Sequence, residues 1–167
     1  MQKANRLQLN RRDLVFAAIV LVVIIADQLS KSWIKGHLGP GEVLWDAGFL
    51  QIIHVLNTGA AFGIFKNATT ILIIVDFIGI AVILYLVFFL RRQWPFIDKA
   101  PVRVSIALIL AGTIGNLIDR LRVGEVTDFI DFKIWPVWNI ADASVTVGVI
   151  ILAYCLIFLT GQAQTKK

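Results

Sequence analysis

The chain has 167 residues, 58% of them hydrophobic and 16% charged, with a net charge of +5 and a mean hydropathy of +0.81. That balance argues against an ordinary water-soluble domain, and its length suits one compact unit, residues 1–167, bathed mostly in lipid. The basic excess does not read as a nucleic-acid surface, because the lysines and arginines fall in short clusters beside apolar runs rather than in an aromatic-interleaved stripe.

In chain order, the first apolar run is LVFAAIVLVVIIA, preceded by Arg11 and Arg12. It opens like a secretory signal peptide. However, no A-x-A-like site follows and DQLSK continues the helical pattern, so residues 13–33 are expected to remain as a membrane helix. Asp27 and Lys31 lie near the end of this span. Ser30 and Ser32 beside Lys31 and Lys35 raise a Ser/Lys peptidase, but their spacing carries no nucleophile-elbow signal. Residues 41–63, GEVLWDAGFLQIIHVLNTGAAFG, are too broken for a helix and too apolar for a plain loop. Glycines at the bends and the β-prone runs EVLW and FLQIIHV predict a small sheet lying on the membrane surface. Trp33, Trp45, Phe49, Phe62 and Phe65 suit that interfacial level. His37 and His54 lack an HExxH context, so no metal site is expected. GAAFG has the look of a packing motif but falls outside the spans, and no dimer is drawn from it.

The second span is expected at residues 70–90 and carries Asp76 within LIIVDFIGI. An acid inside a span costs roughly 3 kcal/mol on insertion scales, so Asp76 is the best argument for a rival function, a small proton-coupled transporter or channel. A lone midspan acid without a basic partner is thin support for it. The third span, at 102–121, ends in GTIGNLIDRLRVGEVTDFIDF. There Asn116, Asp119 and Arg120 fall at i, i+3 and i+4, on one helical face. The chain turns at Gly124, Asp128 follows, and Trp135 and Trp138 mark a second interfacial stretch. WNIADAS then brings Asn139 and Asp142 to the opening turn of a fourth span at 140–160. Cys155 is the only cysteine, which rules out a disulfide or CxxC site within the chain.

Orientation follows from the cations. Lys3, Arg6, Arg11, Arg12, Arg91, Arg92, Lys99, Arg103, Lys166 and Lys167 fall on one side of this topology. Lys31, Lys35, Lys66, Arg120, Arg122 and Lys133 are spread over the longer segments of the other. The positive-inside rule places both termini in the cytoplasm. The expected fold is therefore an all-α membrane protein of four transmembrane helices, N-in and C-in, with a small extracytoplasmic β-sheet region on the membrane surface.

Asp128 and Asp142 come from separate elements at the same outer level. Two carboxylates close together in a poorly hydrated site cannot both ionise cheaply, so the pair keeps one proton. Such a pair suits amide hydrolysis. The ionised member takes a proton from water while the protonated member hydrogen-bonds the scissile carbonyl, with no metal, cofactor or covalent intermediate. Spacing alone does not show that the two meet, and membrane-edge acids also serve as plain ion-pair partners.

Five blocks carry a resemblance to a known family: ADQLSK at 26–31, NTGAAFG at 57–63, GNLIDRL at 115–121, VTDFIDF at 126–132 and NIAD at 139–142. In this order, with four spans, they resemble the lipoprotein signal peptidases (signal peptidase II). The resemblance implies a bacterial inner-membrane aspartyl endopeptidase that removes the signal peptide of a diacylglyceryl-modified prolipoprotein, cutting just before the lipidated cysteine. It implies Asp128 and Asp142 as the dyad. It also implies Asp27, Lys31, Asn57, Gly59, Asn116, Asp119, Arg120, Asn139 and Ala141 as residues that shape the site or hold substrate. Its partners would be that prolipoprotein and membrane lipids, with no nucleic acid, and a monomer is expected. The family often has Phe before the NxAD block where this chain has Trp138. From the residues themselves, Arg120 is expected to orient a substrate carbonyl or lipid group, the three asparagines to donate hydrogen bonds near the dyad, and Lys31 to snorkel toward headgroups.

Overall fold

A computed structural model describes residues 10–59 and 69–161. Lys3, Arg6, Phe62, Phe65, Lys66, Lys166, Lys167 and most of GAAFG lie outside the described residues. Among the described residues, four helices are long and apolar enough to cross a membrane: α1 (Arg11–His37), α2 (Thr69–Phe88), α3 (Ala100–Val123) and α4 (Ile140–Gly161).

Each helix end has a local cause. Asn10 caps α1 by accepting from the Asp13 backbone N–H at 3.0 Å, while the Asp13 carboxylate accepts from the Asn10 N–H at 3.1 Å. This capping box starts the helix before Asp13. α1 runs on past Trp33 to His37, and its 27 residues span about 40 Å, more than a bilayer core requires. α3 begins with Pro101 in its first turn, where a missing N–H costs nothing, and stops at Gly124, whose φ of +81° is left-handed.

α3 is the central crossing and packs against each of the other three. Buried Val102, Ile106, Ala107 and Leu110 of α3 meet Phe16 of α1, Val87 of α2 and Cys155 of α4 in the apolar core. Glycine lets α3 and α4 approach closely. A Cβ on Gly112 would run into the Ala141 carbonyl and lie 2.6 Å from Ser144 Oγ, and one on Gly148 would lie 2.8 Å from the Ser105 carbonyl oxygen. Apart from Asp76 and the threonines at its start, α2 is almost wholly apolar and buries only Val87 completely, as suits a helix whose surroundings are lipid. At one end of the bundle Asp13 binds Arg91 at 2.6 Å and Arg103 at 2.7 Å, and Arg103 binds Asp98 at 2.8 Å, tying α1 and α3 to the α2–α3 connection.

The other end carries an antiparallel sheet in the order β1–β2–β3: β1 (Val43–Asp46), β2 (Gln51–Asn57) and β3 (Val126–Asp131). The sheet expected from residues 41–63 therefore recruits a third strand from the α3–α4 connection. The register pairs Val55 with Asp128 and Asn57 with Val126. Because side chains alternate along a strand, Asn57 and Asp128 share one face. β1 is exposed throughout, with Trp45 and Phe49 standing clear of the protein. Ile130 pairs with Trp138 in a bridge that leads the chain into α4.

Candidate active site

The opening of α4 is an asparagine–aspartate capping box. Asn139 Oδ1 accepts from the Asp142 backbone N–H at 2.9 Å, and Asp142 Oδ2 accepts from the Asn139 N–H at 3.2 Å. This arrangement fixes the Asp142 carboxylate at the helix mouth. The other Asp142 oxygen accepts from Asn116 Nδ2 of α3 at 2.8 Å.

Asp128 reaches the same place from β3. Its Oδ1 accepts from Asn139 Nδ2 at 2.7 Å and its Oδ2 from Asn57 Nδ2 at 2.9 Å. Asn57 is itself set by the Gly59 N–H, which donates to Asn57 Oδ1 at 3.0 Å. Asn139 thus holds both aspartates, one through its main chain and carbonyl oxygen, the other through its amide nitrogen. Burial pushes the Asp128 carboxyl up to about 7 against an ordinary 3.8, and repulsion from Asp142 adds to the rise; the Asn57 and Asn139 hydrogen bonds only partly offset it.

Behind this pair lies a buried ionic cluster. Lys31 Nζ contacts Asp27 at 2.9 Å and Asp119 at 3.2 Å and donates to Asn116 Oδ1 at 2.9 Å. Lys31, expected at the headgroups, is instead fully buried. Two acids and an amide neutralise and solvate its ammonium, which is what permits that burial. Asn139 Nδ2 also reaches Asn116 Oδ1, at 3.1 Å. With its oxygen occupied by two donors, Asn116 must turn its NH₂ to Asp142. Asp27 Oδ1 accepts from the Ala141 N–H at 2.9 Å, so α1 satisfies one of the free amides at the start of α4. Asp119 Oδ2 accepts from the Thr127 N–H at 3.3 Å, anchoring β3 beside Asp128.

A cleft of about 490 Å³ opens over the two aspartates, with Asn57, Gly59, Asn116 and Arg120 in its wall. The predicted residues therefore sort into two groups. Those four line the cleft with Asp128 and Asp142, whereas Asp27, Lys31, Asp119, Asn139 and Ala141 lie buried behind it. The helical face expected to present Asn116, Asp119 and Arg120 together is split. Asp119 turns to Lys31 of α1, while Arg120 Nη1 binds Asp76 of α2 at 2.8 Å. Asp76 thus has the basic partner that the sequence pattern did not supply, and it too lines the cleft. Sequence reasoning also missed Thr113, Thr146 and the stretch from Trp135 to Trp138 in the wall. Only the tryptophans had signalled anything, as interface anchors. Ser30 and Lys31 do not form a nucleophile–base pair. Ser30 Oγ donates to the Asp27 carbonyl in its own helix at 2.8 Å, and Lys31 is held by its acids.

Comparison with known proteins identifies the family. The family profile described as Signal peptidase (SPase) II matches residues 19–158. The chain is 48% identical over 149 residues to a lipoprotein signal peptidase of Dehalococcoides mccartyi, covering 89% of this chain and 91% of that one. It is 40% identical over 148 residues to a lipoprotein signal peptidase of Moorella thermoacetica, covering 88% and 95%. A solved bacterial membrane enzyme superposes with a TM-score of 0.77 at 34% identity, over 92% of each chain.

Proposed function

The chain belongs to the signal peptidase II family, and from that premise we propose that Asp128 and Asp142 form the catalytic dyad of an aspartyl endopeptidase. As a member of this family it is a peptidase, a hydrolase and a bacterial multi-pass membrane protein that processes lipoprotein precursors. The finer reading is that it removes the signal peptide of a diacylglyceryl-modified prolipoprotein just before the lipidated cysteine. The whole chain, 1–167, acts as one membrane-embedded domain and as a monomer. It lies in the inner membrane with both termini cytoplasmic and the dyad on the periplasmic side.

The observation that carries this reading is the shared grip of Asn139 on two aspartates from separate elements, one of them with its carboxyl raised to about 7. Near neutral pH such a pair holds a single proton. The ionised carboxylate takes a proton from water as the water oxygen attacks the scissile carbonyl carbon. The protonated carboxyl meanwhile donates to the carbonyl oxygen, where negative charge develops. When the tetrahedral species collapses, the C–N bond breaks and a dyad proton passes to the departing amine. The asparagine donors on each carboxylate keep these oxygens aimed without reorganisation. Lys31 sits behind them and stabilises the negative charge that remains on the pair. Arg120, in the cleft wall, orients a substrate carbonyl or a lipid oxygen.

The test is cleavage of a diacylated prolipoprotein in detergent. Asp128→Asn or Asp142→Asn is expected to reduce turnover by roughly a thousandfold or more while the protein stays folded, and a chelator is expected to change nothing. Full activity in either variant would overturn the assignment.

A further inference from the structure

α2 has few buried ties to the rest of the molecule: Val87 is its only fully buried residue. Thr69 Oγ1 ties its first turn to the Gly124 carbonyl at 2.8 Å, and its charged tie is Asp76, seven residues or about 10 Å further into the helix. The Asp76 carboxylate and the Arg120 guanidinium meet at 2.8 Å with 15% and 12% of their side chains exposed. Among the described residues that line the cleft, Arg120 is the only cation. The dyad oxygens take their hydrogen bonds from Asn57, Asn116 and Asn139, and none of those bonds comes from Arg120. The single cation in the cleft is therefore bound to an acid on another helix rather than to the acids of the dyad.

That placement matters for a pair that has to keep a proton. An uncompensated cation in the same cleft favours the fully ionised dyad, which has lost its acid member. A guanidinium paired with a carboxylate contributes little net charge and still has donors left for substrate. We propose that Asp76 is a positioning residue for the cleavage reaction: by holding Arg120 on the α2 side of the cleft, it keeps the guanidinium off the dyad and aimed at substrate. This rests on the assignment of Asp128 and Asp142 as the dyad. It also explains why a span apolar enough to need no acid carries one.

The charges acting on Asp128 are Asp142 from α4 and Lys31 from α1. Lys31 is paired with Asp27 of α1 and Asp119 of α3, and Lys35 of α1 reaches Asp119 at 3.8 Å, while Asp76 of α2 and Arg120 of α3 line the same cleft and Asp131 lies further along β3. Only Asp76 and Arg120 change among the variants compared, so a moved pH limb reports on them. The experiment measures kcat/KM for a diacylated prolipoprotein between pH 5 and 9, with the purified full-length protein in detergent, alongside its Tm. In Asp76→Asn the alkaline limb is expected to move down by about one pH unit, which is roughly a tenfold loss at pH 8 and less than about threefold at pH 5.5. The double variant Asp76→Asn/Arg120→Gln is expected to return the limb to its wild-type position. Asp76→Glu, which keeps the charge at a longer reach, is expected to leave the limb in place and raise KM. A tie that only holds α2 would lower Tm and scale activity equally at every pH. An Asp76→Asn profile that superposes on the wild type after scaling overturns the proposal. If that variant does not fold, a displaced limb in Asp76→Glu overturns it instead. Failure of the dyad assignment looks different: full cleavage by Asp128→Asn, whatever Asp76 does.

Discussion

Asp128 lies where burial, and then the neighbouring Asp142, lift its carboxyl to about 7 from an ordinary 3.8. The folded chain binds that proton more tightly than the unfolded chain, so ionising Asp128 works against the fold. The penalty is absent below about pH 4, grows as pH rises, and is complete above about pH 7, reaching at most about 4 kcal/mol. The wild-type Tm in detergent is therefore expected to fall more between pH 4 and pH 8 than that of Asp128→Asn, and parallel slopes would contradict the burial argument. On the proposed reading, poise for catalysis has a stability cost, as is common where a site forces two acids together. Five motif blocks in register single out these two acids in the sequence, but say nothing of their surroundings. The partners of Lys31 show why. Its bond to Asp27 is an i, i+4 pair that any helical reading contains, whereas Asp119 and Asn116 arrive from the third crossing. No local pattern distinguishes a lysine sealed among acids from one reaching for headgroups.

Four helices were legible to within a few residues because lipid demands about 20 apolar residues in a row, a signal stronger than any periodicity in a soluble domain. The third strand was not. VTDFID carries two aspartates and follows a helix end directly, so it does not announce a strand, and its pairing with β2 is a contact between segments far apart in the chain. Close helix approach was also hidden, since a glycine in a membrane helix signals nothing about which neighbour it admits. Gly115 admits Asp27: a Cβ there would lie 2.7 Å from Asp27 Oδ2 and 3.2 Å from the Ala141 Cβ. Gly115→Ala is expected to destabilise the protein by about 1–3 kcal/mol through overpacking. It should also lower kcat, because it pushes on the acid that caps α4. Gly36→Ala makes the matching control. A Cβ at Gly36 meets nothing within 4 Å, and alanine in a helix is favoured over glycine by roughly 0.5–1 kcal/mol. Thermal melts and cleavage rates of the two variants, measured together, check the pair; equal effects would refute the packing argument.

Among the described residues, the ion pairs gather toward the two ends of an apolar bundle. The arginine–aspartate cluster of Asp13, Arg91, Asp98 and Arg103 closes one end, and the aspartate cleft under the sheet occupies the other. The uneven spread of lysine and arginine predicts which end faces the cytoplasm. Single cysteines introduced in a Cys155→Ala background are expected to label from outside intact spheroplasts at Asp46, beside the sheet. At Gln93, in the α2–α3 connection, they should label only after permeabilisation, and the opposite pattern would invert the topology. The bond from the Ala141 amide to the Asp27 carboxylate has a further consequence. It joins the first crossing to the last, 114 residues apart, at the very turn that presents Asp142. On the reading proposed above, a nascent chain with three segments inserted and the fourth still in the translocon lacks Asp142 and the α4 part of the cleft wall, so it cannot cut. Proteolytic competence would arrive only once α4 is in place, so a copy still lacking it cannot attack its neighbours in the membrane.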